Sequence, residues 1–222
     1  MIPFGWTLKR IVDPSIEPVT LDQAKAQCRV DPDITESDER LTSYIKAARE
    51  LAEDFTKRAF IEQRWRYTLP GFPIIERWWN DQRIRLPRAP LLSIDVFTYR
   101  NFSGVIKTMT PWDGGAVGGQ VVDQYWLSQD DEPPAIEPPY GSFWPIARDQ
   151  AASVVLEYTA GYPSAGSPVD AANVPEHAKQ AILQLVGHWY ANRESVVAGP
   201  RYAALDVPFS FERGLDSLRI DP

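Results

Sequence analysis

The residue types with the greatest potential for catalysis or metal binding are scarce in this chain of 222 amino acids. It contains two histidines, His177 and His188, and one cysteine, Cys28. The histidines are eleven positions apart on a predicted helix, so they share a face but are separated by about 16 Å along the axis. They cannot share a metal ion, and one cysteine is too few for a zinc site. We therefore predict no metal site and no cofactor.

Two glycine-containing segments and one acidic run fall short of known functional motifs. Gly161–Gly166 has the wrong glycine spacing for a nucleophile elbow, and Pro163 would stiffen the turn that such a motif requires. Gly114–Gly119 lacks the Lys-Ser/Thr pair of a phosphate-binding loop. The acidic run Asp130–Glu132 does not supply the alternating oxygen ligands of a calcium loop. The sequence therefore predicts no catalytic residues and no enzyme activity.

Composition limits the possible partners and the compartment. The chain has a net charge of −7 and a sequence pI near 4.9. An acidic surface argues against tight, sequence-independent binding of nucleic acid, although it is compatible with a protein that lets DNA pass. A single cysteine excludes an internal disulfide and favours synthesis in a reducing cytoplasm. No signal peptide and no membrane-spanning segment are predicted.

Aromatic residues in proline-rich loops are candidates for contact with a partner. The chain has eight tryptophans, and Trp78, Trp79 and the pair Phe143–Trp144 lie outside the alternating segments. Such side chains could anchor a protein interface, or they could stack on sugars or bases. A carbohydrate-binding or host-recognition module therefore remains an alternative function.

Two helices are predicted near the start of the chain. Thr20 and Gln23 form a capping-box pattern, so a first helix is expected from Leu21 to about Cys28. A second helix begins at Thr35 or Ser37 and continues to about residue 58. Its apolar stripe has helical spacing and consists of Leu41, Tyr44, Ile45, Ala48, Leu51, Ala52 and Phe55. The opposite face is charged and consists of Lys46, Arg49, Glu50, Glu53, Asp54 and Lys57.

Residues 61–160 have the short alternating runs and Pro/Gly-rich loops of an antiparallel β region. A hairpin turn is predicted at Asn101–Gly104. The predicted strands are Gln63–Leu69, Arg83–Leu86, Ser93–Tyr99, Val105–Thr110, Gln120–Leu127 and Ala152–Thr159.

A third helix is predicted from Pro175 to about Asn192, and a short one over Glu212–Leu218. The predicted fold class is α+β: a small helical bundle of two N-terminal helices and a C-terminal helix, with an inserted antiparallel β region. The expected organisation is an extended arm (1–19), a helical core (20–60 and 174–196), the inserted β region (61–160) and a C-terminal tail (197–222).

An ordered set of segments is similar to the head–tail connector (adaptor, head-completion) proteins of tailed phages. The opening Pro18–Lys25, followed by Cys28-Arg29-Val30-Asp31, resembles the first helix of that family. The second helix is similar over Asp38–Arg49 and closes with Phe55-Thr56-Lys57-Arg58. Further similar segments, matching a longer branch of the family, are Ile84–Leu91, Val155–Tyr162, Val174–Ile182 and His188–Glu194.

This resemblance implies a structural virion protein at the head–tail interface. Members of the family form a ring, usually twelvefold, beneath the portal and above a stopper or tail-completion protein. Double-stranded DNA passes through the ring without sequence recognition, and neither catalysis nor membrane contact is implied. The helical part would build the ring, while loops and termini would reach the neighbouring proteins.

Combining these arguments, we expect interface residues in three places. On the charged face of the second helix they are Arg49, Glu53 and Lys57. In the loops of the β region they are Trp78, Trp79, Phe143 and Trp144. In the C-terminal tail they are Tyr202, Phe209 and Phe211.

Overall fold

A computed structural model describes residues 5–73, 82–114, 123–163, 173–192 and 209–220. Within these ranges the chain forms four α-helices, one short 3-10 helix and nine β-strands. It divides into two compact units. We call Met1–Asp13 with Glu62–Gly161 the β unit, and Pro14–Ile61 with Tyr162–Asp221 the helical unit. The fold class is therefore α+β, as predicted.

The elements follow one another in the chain with these bounds. The helices are α1 (Leu21–Gln27), α2 (Asp38–Thr56), α3 (Glu176–Ala191) and α4 (Phe209–Leu215), with a 3-10 helix at Asp216–Leu218. The strands are β1 (Thr7–Val12), β2 (Gln63–Leu69), β3 (Ile84–Arg85), β4 (Leu91–Arg100), β5 (Ile106–Thr108), β6 (Thr110–Pro111), β7 (Gln124–Ser128), β8 (Ala135–Glu137) and β9 (Val154–Ala160).

The helical unit is built around apolar faces of α2 and α3. Leu41, Ile45, Ala48 and Ala52 of α2 are buried together with Ile182 and other apolar residues of α3. The rings of Tyr44 and Trp189 meet edge to face, with centroids 5.8 Å apart. These positions recur every three or four residues, which is the spacing that places side chains on one side of a helix.

The larger sheet of the β unit contains five of the described strands, in the order β1-β2-β9-β4-β5, and all of its pairs are antiparallel. The register of β2 and β9 runs from Gln63 opposite Ala160 to Leu69 opposite Val154. Buried and partly exposed residues alternate along both strands, as the period of two predicts. The hairpin turn predicted at Asn101–Gly104 is present, because the Gly104 N–H donates to the Asn101 carbonyl at 2.8 Å.

A smaller sheet has the order β3-β8-β7-β6. One pair here departs from the predicted antiparallel arrangement, because β6 and β7 are parallel, with Thr110 opposite Gln124. Strand β8 was not predicted from the sequence. Its three residues follow Pro133 and Pro134 and are too few to produce an alternating pattern.

The extended arm expected at residues 1–19 is, in part, a strand of the larger sheet. Thr7–Val12 forms β1 and pairs with β2, with Leu8 opposite Tyr67. A register shift between Arg10 and Val12 interrupts the ladder, so the segment lacks a regular alternation that would have indicated a strand. No helix in the described ranges is both long and apolar enough to cross a bilayer.

The capping box at the start of α1 gives a stability prediction. Thr20 Oγ1 accepts from the Gln23 N–H at 3.2 Å, and Gln23 Oε1 accepts from the Thr20 N–H at 2.8 Å. Because Thr20→Ala leaves a helix N–H without its partner, it should lower the free energy of unfolding by about 1 kcal/mol. Urea unfolding followed by circular dichroism measures the loss.

Thr42→Ala is the matched control for this change. Thr42 is an exposed residue of α2 whose hydroxyl donates to the Asp38 carbonyl, which is already inside the helix ladder. We expect its effect to stay within about 0.5 kcal/mol. Equal losses for Thr20→Ala and Thr42→Ala would contradict a specific contribution from the capping box.

Candidate functional site

A buried arginine lies at the centre of an ion cluster in the helical unit. Arg49 of α2 is only 1% exposed. Its Nε lies 2.7 Å from Glu17 Oε2, its Nη1 2.9 Å from Glu53 Oε2 and its Nη2 3.6 Å from Glu50 Oε1. Glu53 Oε1 accepts a hydrogen bond from the Phe60 N–H at 2.8 Å. The cluster therefore fixes the segment before α1 and the segment after α2 to one helix.

The balance of charges in this cluster keeps Arg49 ionised. Burial by itself lowers the pKa of Arg49, because the cation loses its hydration, but the carboxylates of Glu53, Glu17 and Glu50 outweigh that effect and hold the pKa above its ordinary value. Arg49 and Glu53 were predicted as interface residues on a charged face. The structure instead buries both side chains within the helical unit, where they pair with each other.

Removing the cation should destabilise the helical unit strongly. Arg49→Met leaves Glu53 buried without its counter-charge, so the free energy of unfolding should fall by about 3–5 kcal/mol. Urea unfolding followed by the helical circular dichroism signal measures it.

Arg66→Met provides the comparison for Arg49→Met. Arg66 is an exposed residue of β2 whose Nη2 lies 2.6 Å from Glu157 Oε1. An exposed ion pair contributes little, so this variant should lose less than about 1 kcal/mol. If Arg49→Met costs no more than Arg66→Met, the buried cluster does not stabilise the fold as described.

The aromatic candidates divide into buried and exposed residues. Trp144 is 9% exposed and stacks on Phe72, with ring centroids 4.9 Å apart and an interplanar angle of 9°. Its Nε1 donates to the Gln82 carbonyl at 2.7 Å. Phe211 is also buried, 6.4 Å from the Phe55 ring. Trp144 and Phe211 thus belong to cores, whereas the neighbouring Phe143 is on the surface.

Several predicted positions have no described side chain. Trp78, Trp79 and Tyr202 lie outside the described residues, and Phe209 is the first residue of α4 but its side chain is not described. Lys57 is exposed and ends α2 in a left-handed conformation with φ 59°. Among the predicted interface residues whose side chains are described, Lys57 and Phe143 are therefore the two that lie on the surface.

One exposed surface of α2 was not identified from the sequence. Ser43, Ala47, Leu51 and Asp54 are spaced by three or four residues, lie on one side of the helix and are exposed. We call these four residues the exposed α2 face. Leu51 was predicted in the buried stripe, which is wrong. The buried arc includes Arg49 and Glu53 and is therefore rotated away from Leu51.

Histidine, cysteine and carboxylate side chains are the other candidates for a chemical site. In the described part of the chain, no group of three or more His, Cys, Asp and Glu residues could hold a metal ion. His177 Nε2 lies 3.4 Å from Ser217 Oγ, and His188 Nδ1 lies 3.4 Å from Asn192 Nδ2, both at exposed positions. A cleft of about 230 Å³ between Arg83 and Ser142 is smaller than typical small-molecule sites.

A known protein family matches most of the chain. The model of the phage gp6-like head-tail connector proteins matches residues 18–89 and 147–219. The matched ranges contain all four helices and the strands β2, β3 and β9, whereas β1 and β4 to β8 lie outside them. No curated protein sequence shows a significant match to the chain.

Solved structures with a similar fold come from gene transfer agent (GTA) particles. One is the neck of an empty GTA particle computed with C6 symmetry, with a TM-score of 0.69, 21% identity and coverage of 97% of this chain and 96% of that chain. Another is the neck of a native GTA particle computed with C12 symmetry, with a TM-score of 0.62, 20% identity and the same coverage. At these identities the likeness establishes a shared fold over nearly the whole chain.

Proposed function

This chain belongs to the phage gp6-like head–tail connector family, and we propose that it works as a ring in the neck of a phage-like particle. Its role is structural: it completes the head, joins it to the tail and gives DNA a channel. The observation that carries this function is the family match at 18–89 and 147–219, which covers more than half of the chain and all four described helices.

The helical unit is the part that builds the ring. The four helices form a small bundle, and the family match supports its role because it contains all of them. The buried Arg49 cluster links the segment before α1 and the segment after α2 to one helix. A unit held together in this way suits a repeated contact, because each copy must present the same surfaces to its two neighbours.

Twelve copies form the ring in this proposal. The likeness to neck proteins of particles computed with C6 and C12 symmetry supports that number. A ring requires a heterologous interface, in which two different surfaces of each copy meet. The exposed α2 face is suited to be one of them, since Leu51 is uncovered between small residues and Asp54, with Lys46 and Lys57 also exposed.

The neighbours in this proposal are the portal protein on one side and a stopper or tail-completion protein on the other. Double-stranded DNA passes through the centre, and no enzymatic step is involved. The net charge of −7 supports a channel that DNA crosses without adhering, because like charges repel along the wall. A carbohydrate-binding role gains no support from Trp144, which packs in a core.

Assembly of the purified chain tests the proposed ring. Mass photometry and negative-stain images, with and without a portal assembly, should reveal closed rings of twelve copies. A chain that remains monomeric at every concentration and fails to bind a portal assembly would refute the proposal.

Leu51→Glu should weaken ring formation by at least about tenfold while leaving the monomer folded, because it places a charge in an apolar contact. Mass photometry gives the assembled fraction and circular dichroism the fold. Ile34→Glu is the matched control, since Ile34 is also an exposed apolar residue of the helical unit but lies between α1 and α2. Equal losses for Leu51→Glu and Ile34→Glu would exclude the exposed α2 face as the specific contact.

A further inference from the structure

Exposed apolar side chains are concentrated at one place in the β unit. Of the ten large hydrophobic residues exposed in the described part of the chain, six lie in residues 102–106 and 140–146. We call these six residues the apolar patch; they are Phe102, Val105, Ile106, Tyr140, Phe143 and Ile146.

Backbone contacts bring the ends of the two segments together. Asn101 and Ala147 form an antiparallel bridge, and the Arg148 N–H donates to the Arg100 carbonyl at 2.9 Å. Arg100 is the last residue of β4, so the patch lies at the end of this strand. Trp144 anchors the second segment by stacking on Phe72 in the core. The patch is therefore held in place by the sheet.

The exposed area of the patch is that of half an interface. Its six residues are between 54% and 85% exposed. At 150–250 Å² for a complete aromatic side chain and less for Val or Ile, they present roughly 700–800 Å². The largest apolar patch of a monomeric protein measures about 300–600 Å². One side of a standard protein interface measures about 800 Å².

Basic residues outnumber acidic ones close to the patch in an otherwise acidic chain. Lys107, Arg148 and Asp149 are close to patch residues in sequence and are exposed. The chain as a whole has a net charge of −7. An acidic surface that also offers apolar contact would therefore fit the patch.

The same unit has such a surface at the other end of β4. The acidic turn, which we define as Gln129–Pro133, connects β7 to β8, and its Asp130 and Glu132 are exposed. Gln129 Nε2 donates to the carbonyl of Leu91, the first residue of β4, at 3.4 Å. Half-buried Pro133 and Pro90 supply apolar surface there. Because β4 has ten residues, the turn and the patch are roughly 30 Å apart.

We propose that the apolar patch of one copy docks on the acidic turn of the next copy. This inference rests on the proposed ring and adds a second contact between its subunits. Two complementary surfaces at opposite ends of one unit make a head-to-tail contact, which is the kind that closes a ring. The six patch residues and the acidic turn all lie outside the segments that match the family model, so the four helices do not take part in this contact.

Photo-crosslinking from the patch tests which surface covers it. Phe143 is replaced by a photoreactive phenylalanine in rings mixed from unlabelled and ¹⁵N-labelled chains, and crosslinked peptides are identified by mass spectrometry. We expect links between Phe143 and residues 129–134 of another copy. Three outcomes would overturn the docking but not the ring: links from patch to patch, links only to another neck protein, and no link at all. The third applies where rings still form and still depend on Leu51. A failure to form any ring would instead overturn the proposed function.

Charge reversal gives an independent measure of the same contact. Lys107→Glu with Arg148→Glu, or Asp130→Lys with Glu132→Lys, should each lower the assembly constant by at least about tenfold, because like charges then meet. All four changes together should restore assembly. Lys9→Glu with Arg29→Glu lowers the net charge by the same amount as Lys107→Glu with Arg148→Glu, at exposed positions that belong to neither the patch nor the turn. No rescue by the four changes, or an equal loss with this control pair, would overturn the docking.

Discussion

The burial of one positive charge constrains the arrangement of the whole helical unit. Arg49 can remain ionised inside the protein only with carboxylates around it, and these come from Glu17 and from α2 itself. The second oxygen of Glu53 then holds the Phe60 N–H. Glu17 and Phe60 lie close to two of the points where the chain passes between its units. A single cation thus fixes the chain near these two points to the same helix.

The β unit depends on a different kind of constraint. Its larger sheet has a buried face, because every second residue of β2 and β9 is buried. The rings of Phe72, Phe97 and Trp144 fill part of that interior. The loop after β8 is held by this packing and not by regular backbone pairing. Surface residues next to Trp144 consequently occupy defined positions although they belong to a loop.

The family match divides the β unit. Strands β2, β3 and β9 lie in the matched segments together with the four helices, whereas β4 to β8 lie between those segments. The neck structures of gene transfer agents align over 97% of this chain, so their fold extends over the unmatched strands as well.

Sequence patterns predicted the strongly periodic elements and missed those defined by distant contacts. The capping residues Thr20 and Gln23 and the spacing of Leu41, Ile45 and Ala48 are local signals, so α1 and α2 were predicted with nearly correct bounds. The segment Thr7–Val12 forms strand β1 because β2, more than fifty residues later, pairs with it. The role of Arg49 depends on Glu17, which lies 32 positions away. The charged stripe of a helix does not show which of its residues will be buried in an ion pair with a carboxylate that is distant in sequence.

The position of β9 in the larger sheet has a consequence for how the chain folds. This strand lies between β2 and β4, yet it is the last of the nine described strands to be synthesised. Until residues 154–160 leave the ribosome, the facing edges of β2 and β4 have no permanent partner. Closing loops of this length slows folding, and unpaired edges invite association with other chains. The β unit should therefore reach its native state late, and it is during translation that the chain is most exposed to aggregation.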